Sequence, residues 1–233
     1  MRLVCFGDSF TASAGIPAED ILLGRVPSWI DLLCERWGCA ALTRGINGTG
    51  PLELLHQIQN FGEFLPGDRV FCAFSSVKRF CLSPYTPTIH HLSELAEPHE
   101  HYNNKNSAMV IQREIDMAIP EVSRLDMQRI IQAQRWYDLF LNNEYRERAL
   151  HYAVFTALDG IAAANPQAEF YVKYCFIQDY NLCLEMNLQN KFFKLLEGDL
   201  FSICGEREGM DITNHFTVDS VGDFVNYLDG AMR

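Results

Sequence analysis

The chain has 233 residues, 48% of them hydrophobic and 12% aromatic, which is enough apolar surface for one full core without disulfides or a structural metal. Its formal charge of −11 argues against broad binding to nucleic acid or anionic membranes, because both are driven by Lys and Arg neutralising phosphate. One Arg precedes the first strand pattern, with no long apolar run or small-residue cleavage site, so neither a signal peptide nor a membrane span is expected and the location expected is cytoplasmic.

In chain order, apolar patterning predicts a strand over 3–6, a helix over 28–37, a strand over 40–43, a helix over 51–60 with Pro51 suited to its first turn, and a strand over 69–74. Further on it predicts a helix over 151–164, a strand over 169–176, a helix over 186–196, a strand over 200–204 and a helix over 218–232. Strands alternating with helices imply a parallel sheet covered on both faces, with any ligand at the carboxyl ends of the strands. The loops beginning at Gly7, Arg44 and Ser75 should then lie side by side. The eight cysteines (Cys5, Cys34, Cys39, Cys72, Cys81, Cys175, Cys183, Cys204) form no CxxC pair and read as small core residues in a reducing compartment.

Residues 81–148 break the alternation. A polar, His-rich stretch over 84–106 is followed by a helical pattern over 107–148 interrupted at Pro120, an insertion of the length used for a lid, cap or partner surface. Trp136, Tyr137, Phe140 and Tyr145 within it read by default as the buried stripe of a helix, and alternatively as a face for a partner or a second copy.

Three loops could carry chemistry. Phe6 to Thr11, FGDSFT, sets Ser9 just after a strand and before a helix, where a hydroxyl can be exposed among helix-terminal N–H groups; the same position suits an ordinary N-cap. Thr43 to Gly50, TRGINGTG, is rich in glycines whose backbone can approach a developing oxyanion. Asp211 and His215 lie in the last loop, where a His could accept a proton from a serine at the first strand while a carboxylate fixes its tautomer.

These three blocks, in this order, resemble the GDSL/SGNH hydrolases, a flavodoxin-like class of serine esterases and lipases. The resemblance spans nearly the whole chain as a single domain, 1–233, with 81–148 as an insertion. It implies a three-layer α/β domain with a central five-stranded parallel sheet. It further implies Ser9 as nucleophile, also offering its own N–H to the oxyanion, Gly48 as the oxyanion-hole glycine, Asn47 beside it in contact with substrate, and His215 as base. Two departures stand out. The family's third block reads Gly, x, Asn, Asp, whereas Ser75, Ser76, Val77 and Lys78 occupy those positions here. Valine cannot donate a hydrogen bond, and one missing oxyanion donor costs about 3 to 4 kcal/mol in the transition state. Ser75, Ser76 or Arg79 is nearest in sequence to stand in. Second, Asp211 precedes His215 by four residues instead of three.

The expected activity is therefore hydrolysis of small, polar acyl esters, carbohydrate esters among them, through an acyl-enzyme formed by Ser9, His215 and Asp211, without a cofactor. Arg79 would recognise an anionic group on the substrate or replace the lost donor; the alternative is a solvated basic pair with Lys78. Two other classes are open. One is a catalytically impaired binding or scaffold protein on this fold. The other is a metal site in the His-rich loop, from His90, His91, His99 and His101 with Glu94, Glu97 and Glu100, although the spacing fits no compact metal motif.

Overall fold

The computed structural model describes residues 1–8, 10–11, 28–46, 49–79, 135–136, 139–200, 202 and 218–232. The elements are β1 (Arg2–Phe6), α1 (Trp29–Trp37), β2 (Ala40–Thr43), α2 (Pro51–Gln59), β3 (Arg69–Phe74), α3 (Glu144–Ala164), β4 (Glu169–Tyr174), α4 (Ile177–Glu185), β5 (Phe193–Asp199) and α5 (Val218–Met232). The five strands form one sheet in the order β2-β1-β3-β4-β5, and every pairing is parallel.

Strand residues buried on both faces force this arrangement. Leu3, Val4, Cys5 and Phe6 are all fully buried, which only a sheet covered on both sides can satisfy. On one face Leu3, Cys5, Phe71 and Tyr171 pack against Trp29, Ile30 and Leu33 of α1 and Phe224, Val225 and Leu228 of α5. On the other, Val4, Phe6, Cys72, Phe74 and Val172 pack against Leu54 and Ile58 of α2 and Val154, Phe155 and Leu158 of α3. The result is the expected three-layer α/β domain. Helix α1 begins where the Ser28 hydroxyl accepts the Ile30 N–H, and α2 begins with Pro51 in its first turn while Glu53 Oε2 accepts the Gly50 N–H at 3.2 Å.

Four expectations need correction. Residues 186–196 are not a helix: α4 ends at Glu185, and the stretch leads into β5. The fifth strand is accordingly Phe193–Asp199 instead of 200–204, whose described residues Leu200 and Ser202 lie past its end. Residues 144–148, placed in the insertion, open α3. Trp136, Phe140 and Tyr145 are exposed at 50%, 65% and 84%, so they are not a buried stripe; Tyr137 and 81–134 lie outside the described residues. No helix among the described residues is long and apolar enough to cross a membrane.

Candidate active site

A parallel sheet ordered 2-1-3-4-5 reverses direction between β1 and β3, and the crevice at that reversal is where such sheets hold ligands. Gly7 sits at its mouth. Its φ is +140°, and a Cβ there would lie 2.7 Å from the Cβ and 2.8 Å from the carbonyl oxygen of Ala73 on β3, so only glycine fits. Gln57 of α2 holds it from the side: the Gly7 N–H donates to Gln57 Oε1 at 2.8 Å, and Gln57 Nε2 donates to the Gly7 carbonyl at 2.9 Å. The same carbonyl accepts the Ile46 N–H at 3.0 Å, which ties the second loop to the first.

Asp8 follows, fully buried, and collects the third loop. Its Oδ2 accepts Arg79 Nη1 at 2.7 Å and the Ser75 hydroxyl at 3.0 Å, while Oδ1 accepts the Phe10 N–H at 3.2 Å and faces the Cys175 thiol at 3.6 Å. Arg79 Nη1 also donates to Ser75 Oγ at 2.7 Å and to the Thr49 carbonyl at 3.2 Å, and its guanidinium lies 5.1 Å from the Phe176 ring centre. A buried carboxylate without such partners would be very costly, so this ion pair fixes all three loops relative to one another. Gly50 closes the join, since a Cβ on it would come within 3.0 Å of the Arg79 carbonyl.

Val77 takes no part in that network. Its side chain is buried beneath the loop, its N–H donates to Asp179 Oδ1 of α4 at 3.1 Å, and its carbonyl accepts from Arg146 of α3 at 3.4 Å. Burial pushes the Asp179 carboxyl up to about 6, partly offset by the Val77 N–H and the Ser76 hydroxyl. The turn over 75–78 is thus fastened from beneath by a carboxylate on α4.

Of the residues singled out from sequence, Ser9, Asn47, Gly48, Asp211 and His215 lie outside the described residues, as do His90, His91, His99 and His101. Those described converge: Arg79 is not part of a solvated pair but a half-buried cation among the three loops, whereas Lys78 is exposed. The Ser75 hydroxyl gives its one proton to Asp8, and Ser76 lies against Asp179. Among the described residues, no group of three or more His, Cys, Asp or Glu side chains is placed to hold a metal ion.

Sequence reasoning missed Gln57, Asp179 and a buried pair behind the site. His151 of α3 places Nε2 2.6 Å from the Tyr174 hydroxyl at the end of β4 and stacks on Phe74 at 5.1 Å, and burial pushes its imidazole down to about 4. The signal for Gln57 was a polar residue on the apolar stripe of α2; Asp179 and His151 left no such local mark. Comparison with protein-family models finds no match, and comparison with curated proteins finds none either.

Proposed function

We propose that the chain is a serine ester hydrolase of the GDSL/SGNH kind, in which Ser9 attacks an acyl carbonyl, His215 carries the proton to the leaving alcohol, Asp211 orients His215, and the Ser9 and Gly48 amides bind the oxyanion. The observation that carries the reading is the Asp8–Arg79–Ser75 cluster. It locks the loop immediately before Ser9 to the second and third loops, at the crevice where a sheet of this order holds its ligand. A nucleophile needs a fixed position relative to its oxyanion donors, and a buried ion pair spanning three loops supplies that rigidity. Small acyl esters are the proposed substrates, with Arg79, paired to Asp8, holding the loops that would position them. Reaction with a fluorophosphonate probe tests the reading: labelling of Ser9, lost in Ser9→Ala together with hydrolysis of short-chain acyl esters, is the expected result. Absence of both labelling and turnover in the folded chain overturns it.

One observation favours a second reading, a binding protein on the same scaffold. The Val77 side chain points into the core and its N–H is committed to Asp179, so the third loop offers neither to an oxyanion. Failure of the probe with the fold intact selects this reading.

A further inference from the structure

We propose that Cys34 and Cys39 form a reversible dithiol/disulfide site that staples the end of α1 to the edge strand β2. The pair owes its geometry to how α1 stops. Gly38 adopts the left-handed conformation with φ +61°, its N–H bonds the Glu35 carbonyl at 3.2 Å, and the Cys39 N–H reaches back to the Cys34 carbonyl at 3.0 Å. This double return is a Schellman cap, in which the residue after the glycine packs against the residue five positions earlier. That contact is ordinarily hydrophobic; here a thiol fills each side, with the sulfurs 3.4 Å apart. A disulfide needs about 2.05 Å between sulfurs, so the two sulfurs already in contact have about 1.3 Å left to close by side-chain rotation.

The two thiols differ in access. Cys39 is half-buried while Cys34 is buried at 7% exposure, and burial together with the neighbouring sulfur pushes the Cys34 thiol up to about 12. Oxidation therefore enters through Cys39. With a small disulfide such as oxidised glutathione as oxidant, the Cys39 thiolate attacks one sulfur and expels a glutathione thiolate. Cys34 then releases its proton to water, and its sulfur attacks Cys39 Sγ to expel the second thiolate. One disulfide in the oxidant is reduced to two thiols, and one forms in the protein. In a reducing compartment both cysteines stay as free thiols.

Trypsin makes the test direct, because Arg36 lies between the two cysteines and cleavage there separates 26–36 from 37–44, each with one cysteine. The folded chain is incubated with oxidised glutathione, quenched with an alkylating agent at low pH, and digested without reductant. We expect 26–36 and 37–44 to appear as one linked species, lighter than the two free peptides by the mass of two hydrogens and separated by added dithiothreitol. In Cys39→Ser, Cys34 should carry only the alkylating agent and no glutathione. A lasting glutathione adduct on 37–44, alkylation of both cysteines, or linkage of 26–36 to the peptide carrying Cys5 would overturn the proposal, as would glutathione on Cys34 in the Cys39→Ser chain.

Discussion

If the Asp8–Arg79 pair joins the three loops, removing either partner should destabilise the chain, and removing both should cost less than the two losses added together. Breaking a buried ion pair by deleting one partner typically costs about 3–5 kcal/mol. Asp8 has no solvent exposure, but the Arg79 side chain retains 17%, and Asp8 keeps the Ser75 hydroxyl and the Phe10 N–H. We therefore place the loss of the pair near the lower limit, at about 3 kcal/mol, and add about 1 kcal/mol for the bond from Arg79 to the Thr49 carbonyl. Arg79→Ala should thus cost about 4 kcal/mol. Asp8→Asn should cost about 2 kcal/mol, because a part-exposed guanidinium can rehydrate and the amide still accepts hydrogen bonds. Independent effects would give about 6 kcal/mol for the double variant; once Asp8 is neutral Arg79 has no charge to match, and we expect about 4 kcal/mol, a coupling of about 2. Urea unfolding with a common m-value measures all three. Additivity within about 0.5 kcal/mol would mean that the pair does not join the loops energetically.

Gly7→Ala should cost about 3 kcal/mol or more, since the added Cβ overlaps Ala73 and the backbone has φ +140°; a loss under about 1 kcal/mol by the same unfolding measurement would show that the crevice relaxes freely. Two buried groups should oppose one another in the acid range. Burial lowers His151 from 6.5 to about 4, so the unfolded chain takes up a proton first and stability is lost as pH falls through that window, by about 3 kcal/mol at about 1.4 per pH unit. Burial raises Asp179 from 3.8 to about 6, so its stabilisation is complete below 3.8 and is lost as pH rises through 6, by a similar amount of about 3 kcal/mol. His151→Gln should therefore become less stable between pH 4 and 6, and Asp179→Asn should gain stability over that range more steeply than the unmodified chain. Unchanged slopes in both would refute the burial assignment. In the ester-hydrolase reading, Arg79→Ala should also lower kcat/KM for short acyl esters about tenfold or more through loss of loop positioning; an unaltered value in the folded variant removes Arg79 from the site.

Much of the fold was legible because continuous apolar runs such as 3–6 and 69–74 have no other stable use than a sheet buried on both faces. Residues 186–196 were misread for a specific reason. In β5 the buried positions Phe193 and Leu196 are three apart, yet Phe193 joins the core that holds Val172 and Leu196 the core that holds Leu3, because this strand is covered on both faces. A three-residue spacing of buried side chains looks helical when only the sequence is in view. At the site, Ser75, Val77 and Arg79 were placed correctly at a strand end, but their partners were invisible: Asp179 lies far along the chain, and its bond to Val77 leaves no periodic trace.

The sequence by itself determined the alternation of most strands and helices and the loops that must share one sheet edge, because patterning acts locally. Only the tertiary structure decided that Arg79 pairs with Asp8 instead of facing water, that Val77 is pinned by Asp179, and that Cys34 meets Cys39. Each of these depends on where a packed neighbour leaves a buried polar or sulfur group, and burial makes that choice decisive since an unpartnered charge in the interior costs more than the chain's local preferences can offset.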